Sequence, residues 1–336
     1  MKRPFRPILL LGIPALVCVV TSFYFVAPVV SMPGHSYNGV LPPLTAAQED
    51  SKKRMMEDLR FLAEEIGERN DSKPGTLEKS ADYIAEKLTA VTAGSVPIER
   101  QHFKWSDHDY QNISLELKGD TKPEEIIVIG AHYDTVSDCA GADDNGSGTV
   151  AVLELARLFA HVPHNRTLRF VAFANEEFYF RTHGMGSYQY AERCHNRGEK
   201  IVAMLALETI GYFRDEKGSQ KYPPIIGWFY PKQGDFITFV GNTKNRPLVN
   251  RLIRVFREEA KFPSQGIAAP QAVSGVDWSD HLYFWHFGYP GVMITDTAPY
   301  RNPHYHQTTD RLQTIDFDKM TRVVSGLVPC ITDLAN

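Results

Sequence analysis

The sequence predicts an α/β fold: a three-layer sandwich around a mostly parallel, mixed central sheet. Three observations predict it. Apolar runs such as IIVIGAHY, RFVAFA, IVAMLALE and GVMIT lack polar alternation, as strands buried on both faces do. Segments of helical spacing separate these runs, as crossovers between parallel strands require. Several runs also end in residues that a core does not select: His132-Tyr133-Asp134, Glu176-Glu177 and Glu208. The carboxyl ends of strands are where open α/β sheets place ligands.

The elements follow in order. Lys2, Arg3 and Arg6 precede a stretch from residue 7 to residue 30 without a charged residue. A cleavable signal core has about 7–15 apolar residues and a membrane span about 20. Residues 1–30 therefore read as a signal-anchor, with a longer signal peptide as the alternative. The basic end stays inside and the remaining domain is exported, periplasmic or extracellular, or secreted if the segment is cut. Residues 31–45 are rich in Pro and Gly and read as a linker, and residues 46–336 form the remaining domain. Within it, TAAQEDSKKRMMEDLRFLAEEIG can place Met56, Leu59, Leu62 and Ile66 on one helical face, and EKSADYIAEKLTAV is a second amphipathic helix. ISLEL alternates as a half-buried strand, and TVAVLELARLFA is a helix apolar nearly all round. Residues 211–242, rich in Pro, Gly and aromatics, read as a long loop or short hairpin at the rim of the site. Trp228, Phe229 and Tyr230 within it suit a hydrophobic subsite or loop packing equally.

The totals exclude some classes. The net charge is -4 and no basic block appears, so nucleic acid is not an expected partner. Cys18 lies in the apolar stretch. That leaves Cys139, Cys194 and Cys330, an odd set that reads as small buried residues with at most one bridge.

The polar strand ends acquire company. Gly141-Ala142-Asp143-Asp144-Asn145-Gly146-Ser147-Gly148 precedes the buried helix. Capping explains one acid there but not two. Near the C-terminus NPHYHQTTD gathers His304, His306 and Asp310. His132, Asp144, Glu177, Glu208 and His306 form the collected set, with Glu176 and Asp134 beside them; carboxylates clustered in this way stay ionised only beside a compensating cation. The donors suit zinc, or manganese or cobalt.

These residues resemble the two-zinc exopeptidases that include bacterial leucyl aminopeptidase, glutamate carboxypeptidase and glutaminyl cyclase. The resemblance covers roughly residues 50–325. It rests on His132-x-Asp134, Asp144-x-x-Ser147-Gly148, Glu176-Glu177, the strand end at Glu208, and Tyr305-His306 with Asp310 following. It implies a zinc-exopeptidase-like fold and two Zn2+ ions, one held by His132 and Glu208, the other by Glu177 and His306, with Asp144 bridging. It further implies Glu176 as general base, Tyr305 polarising the scissile carbonyl, and Asp134 and Asp310 as supports behind the ligands. The adjacent glutamates are expected to point to different places. The sequence departs from many aminopeptidase relatives in carrying Glu208 where they have Asp. It also carries FYFRTHGM, with Arg181 and His183, after the glutamate pair. The implied activity is aminopeptidase action on peptides. Carboxypeptidase action on a short acidic peptide, glutaminyl-peptide cyclisation and a catalytically silent binding ectodomain are the alternatives. Ser279-Asp280-His281 is expected to be a structural support, Asp143 a helix cap or a support behind the ligands, and His286 and His304 structural or rim residues.

Overall fold

The computed structural model describes residues 28–224 and 226–336. All but the last three residues of the apolar stretch lie outside the described residues. Helix α1 (Ala46–Arg60) begins with Thr45, whose hydroxyl caps the Gln48 amide while the Gln48 side chain accepts from Thr45 N, a reciprocal pair that closes the first turn. It runs into a wider turn, Phe61–Ile66, and then α2 (Thr76–Val91). Strands β1 (Ile98–Trp105), β2 (His108–Leu117) and β3 (Lys122–His132) follow, then α3 (Gly148–Phe159), β4 (Arg166–Phe173), α4 (Gly186–Asn196) and β5 (Lys200–Glu208). A small hairpin, β6 (Arg214–Lys217) and β7 (Gln233–Gly234), precedes β8 (Ile237–Asn242), α5 (Arg246–Glu259) and β9 (Ser264–Ala269). The chain closes with α6 (His281–His286), β10 (Gly291–Thr295), α7 (Ala298–Arg301) and α8 (Phe317–Ala335).

Eight strands form one sheet in the order β1-β2-β4-β3-β5-β10-β8-β9. The centre is parallel (β4-β3-β5-β10), while β1, β2 and the β10–β8 pairing are antiparallel. One face carries Ile127, Ile129, Leu205 and Ile294 beneath α1, α2, α3, α5 and α8, and the other carries Val128, Val171, Met204 and Met293 beneath α4 and α6. Both faces are covered, which is why the central strands read as continuous apolar runs.

Three expectations shift. Met55, not Met56, faces the core; Met56 is 40 % exposed, because the buried stripe runs through Met55, Leu59 and Leu62. The 211–242 stretch does hold a hairpin, but its last six residues are strand β8, paired to β10 and β9. The linker is not a free tether. Val29 packs on one face of the sheet and Met32 on the other, so residues 29–36 bend around the open edge of β9, where Ser264 N donates to Ser36 Oγ at 2.9 Å. Arg257 donates to the carbonyls of Pro33 and Gly34 at 2.8 and 3.1 Å. The strap covers backbone groups that an edge strand otherwise exposes.

Cys139, Cys194 and Cys330 are buried free thiols, without a bridge among them. No helix of the described residues is long and apolar enough to cross a membrane.

Candidate active site

The parallel strands deliver their ends to one place. His132 is the last residue of β3 and Glu208 the last of β5. Beyond β4 the chain leaves extended geometry at Asn175 (φ 61°), so Glu176 and Glu177 lie in a turn rather than a strand. Their side chains do not part: one ligand atom from each lies within 4.8 Å of a His132 nitrogen and of the other. Divergence is expected from their separate roles as ligand and base, but a turn, unlike a strand, does not send adjacent side chains to opposite faces. Asp134 makes that turn, its two oxygens accepting from the amides of Glu176 (2.9 Å) and Glu177 (3.0 Å) while Oδ1 stands 3.4 Å from His132 Nδ1.

Asp144 sits in the loop directly before α3, where the helix dipole favours an anion. The loop lies tight against β5: a Cβ at Gly148 would come within 2.5 Å of the Leu207 carbonyl, so only glycine fits. Asp310 holds this loop as Asp134 holds the other, accepting from the amides of Asp143 and Asp144 at 2.9 and 3.0 Å. Asp143 turns away from the centre and accepts from Gly211 N and Asn302 Nδ2, so it is a support and not a cap. Ser279 donates to Glu208 Oε2 at 2.7 Å.

At the centre, His132 Nε2 faces Asp144 Oδ1 (3.4 Å) and Glu208 Oε2 (3.3 Å), while His306 Nε2 faces Asp144 Oδ2 and Glu177 Oε1, each at 3.1 Å. Asp144 thus offers one oxygen to each group. Neither Asp144 oxygen, nor Glu177 Oε1, receives a hydrogen bond, although all are buried. Unpaired buried carboxylate oxygens converging with imidazole nitrogens fit divalent cations, and nitrogen and oxygen donors without thiolate suit zinc. Tyr305 stacks on His306 with ring centroids 3.8 Å apart. Beside the centre opens an apolar pocket of about 100 Å³, reaching from Glu208 and Tyr305 to Val240, Ile267, Val276 and Met293. Of the rim aromatics considered from sequence, Tyr230 lines this pocket, and Trp228 stands 80 % exposed beyond it. His286 and His304 lie away from the donors, against Tyr283 and Tyr212 respectively.

Sequence reasoning missed Arg69. Fully buried, its guanidinium donates to the carbonyls of Tyr133 (2.7 Å), Ala140 (2.6 Å) and Gly141 (2.9 Å), gripping both ends of the loop that joins His132 to Asp144. It also reaches Leu62 and Gly67. No motif marks it, because its acceptors are backbone.

Metal-free protein should be pH-sensitive in a defined direction. Burial pushes Glu177 up to about 8 and Asp280 up to about 7. For His306, burial works downward, but Asp144 and Glu177 outweigh it and raise the imidazole to about 10. A carboxyl raised in the folded state disfavours folding above its unfolded value, and a raised imidazole favours folding only below its own folded value. The carboxyls make stability fall as pH rises from about 4 to about 8, and the imidazole from about 6.5 to about 10. Chelator-stripped protein should therefore show a urea midpoint that declines from pH 5 to pH 8, recovered at pH 8 by added zinc. A flat midpoint would contradict the electrostatic reading.

The model of peptidase family M28 matches residues 112–329. An uncharacterised protein, YfbL, of Escherichia coli K12 is 34% identical over 83% of this chain and 87% of its own length. A probable leucine aminopeptidase of Arthroderma otae is 27% identical over 89% and 76%. Among solved structures, a zinc aminopeptidase from Bacillus subtilis superposes with a TM-score of 0.68 at 16% identity, covering 85% of this chain and 95% of that one. A glutaminyl cyclase of Fimbriiglobus ruber does so at 0.61 and 20% identity, over 90% and 99%.

Proposed function

The chain belongs to peptidase family M28 and is a metallopeptidase, and we propose that it is an aminopeptidase acting through two zinc ions. The observation that carries the two-ion reading is Asp144, whose separate oxygens face His132 and His306. His132 and Glu208 would hold one ion, Glu177 and His306 the other, and Asp144 both. Manganese or cobalt fits the same donors. When bound, such ions polarise a peptide carbonyl and make an attacking water acidic.

The chain's own residues supply the rest. Glu176 accepts the water's proton and returns it to the leaving amine. Asp134 fixes Glu176 by its backbone, so the base is aimed by a buried hydrogen bond. The Tyr305 hydroxyl, kept protonated by burial and by the surrounding carboxylates, donates toward the oxygen that becomes negative. The acidic surroundings suit a substrate's free α-ammonium, and the apolar pocket suits an apolar first side chain. The N-terminal apolar stretch anchors the chain in a membrane with the catalytic domain exported.

A screen of the metal-loaded full chain in detergent tests this. We expect release of the first residue from free-amino peptides, none from N-blocked ones, and leucyl or methionyl substrates favoured over glutamyl ones on the order of 10²-fold, since a charge would lose its water in the pocket. Cyclisation of N-terminal glutamine peptides without hydrolysis would replace this reading by the cyclase.

A further inference from the structure

The path of the strap says how the catalytic domain is held. Val29 packs into the apolar group that includes Ile226, Tyr230 and Ile267, on the sheet face that carries the pocket. Arg246 donates to the Ser31 carbonyl at 3.1 Å and Arg257 to Pro33 and Gly34, so between residues 29 and 36 no slack chain remains. The uncharged stretch ending at residue 30 therefore joins the domain at one fixed point, at the β9 edge and next to a pocket wall. An anchor on a long free linker would leave the domain's orientation open; this one does not.

The surroundings of that point are of two kinds. On the pocket side stand Trp228, 80 % exposed, and Trp278, 38 % exposed, beside Tyr222 stacked on Tyr230. On the other side of the edge is α5. From Lys244 to Lys261 the chain holds six basic residues against two acidic ones, in a protein whose net charge is -4. Arg251 and Arg254 on it are 43% and 45% exposed, each with one acidic partner. Exposed Trp beside basic residues, flanking an apolar segment, matches the chemistry of a bilayer's interface: aromatic rings lie at headgroup depth and cations at anionic headgroups.

We propose that the β9 edge of the catalytic domain rests on an anionic lipid bilayer, with Trp228 and Trp278 in the headgroup layer, α5 against acidic headgroups, and the pocket opening at the membrane surface. The proposal rests on the anchoring read from the apolar stretch. It implies that the peptides reached most readily are those whose free N-termini lie at or emerge from that surface.

The test uses the full chain reconstituted into vesicles of phosphatidylcholine and phosphatidylglycerol with brominated acyl chains. The protein has four tryptophans, so emission reports which of them meets lipid. Bromolipid should quench the wild type, and Trp228→Phe should lose much of that quenching. Arg251→Gln with Arg254→Gln should reduce it in anionic vesicles but not in pure phosphatidylcholine. Protein that floats with the vesicles yet shows equal quenching in wild type and Trp228→Phe would overturn the docking face while leaving the anchor intact. Protein that does not float at all would overturn the anchor, and the proposal with it.

Discussion

Glu176→Gln should lower the chemical step by about 10²–10⁴-fold while both metals stay bound, the range expected for loss of a positioned proton acceptor. The substitution keeps volume and does not touch the backbone amide that Asp134 holds. Glu177→Gln should behave differently. Its Oε1 faces His306 Nε2 at 3.1 Å and is otherwise unpaired, so an amide there removes charge from the proposed cation site. Metal on the His306 side should weaken, and excess zinc should restore part of the activity. Elemental analysis beside single-turnover rates separates the two. Loss of metal from Glu176→Gln, or full recovery of its rate on adding zinc, would reverse the assignment. One metal per fully active wild-type chain would remove the bridging role of Asp144.

Arg69→Met should destabilise the fold by about 3–5 kcal/mol, measured as a fall in the urea midpoint. Five carbonyls (Leu62, Gly67, Tyr133, Ala140 and Gly141) accept from this one guanidinium. A buried carbonyl left unpaired costs about 1–3 kcal/mol, and partial relaxation keeps the total below the simple sum. Met fills much of the volume, so a cavity does not dominate. Metal affinity should fall as well, because residues 133 to 141 lead directly to Asp144. Arg69→Lys, with one donor group in place of a fork, should fall between. A midpoint within about 1 kcal/mol of wild type would show that water or backbone adjustment replaces the guanidinium.

What the sequence made legible follows from which atoms do the work. The central strands were readable because burial on both faces writes a continuous apolar run. Strand β1, IERQHFKW, is largely exposed and carries no such run. Strand β8 follows directly on a stretch rich in Pro and Gly, and β9 is an edge of small residues, SQGIAA. The donors gathered at the centre were readable because the chemistry needs their side chains, two at strand ends (His132 and Glu208) and the others in the turn and loops beside them. Arg69 was not, and neither was the grip of Asp134 and Asp310 on neighbouring turns. In all three, one or both partners are backbone groups, which every residue possesses and no residue advertises. The glutamate pair shows the opposite limit: both residues were found, but their directions were misjudged, because the φ of Asn175 is not written in its neighbours.

The strap that bends around β9 also sets the order of events during synthesis. Residues 33, 34 and 36 leave the ribosome early, yet their partners Arg257 and Ser264 lie more than 220 residues later, and Pro42 waits for Arg322, 280 residues on. Closing so long a loop adds little to its equilibrium cost, which grows only with the logarithm of length, but contacts so distant in sequence slow the approach to the native state. The segment from residue 33 to residue 42 is thus among the last to dock.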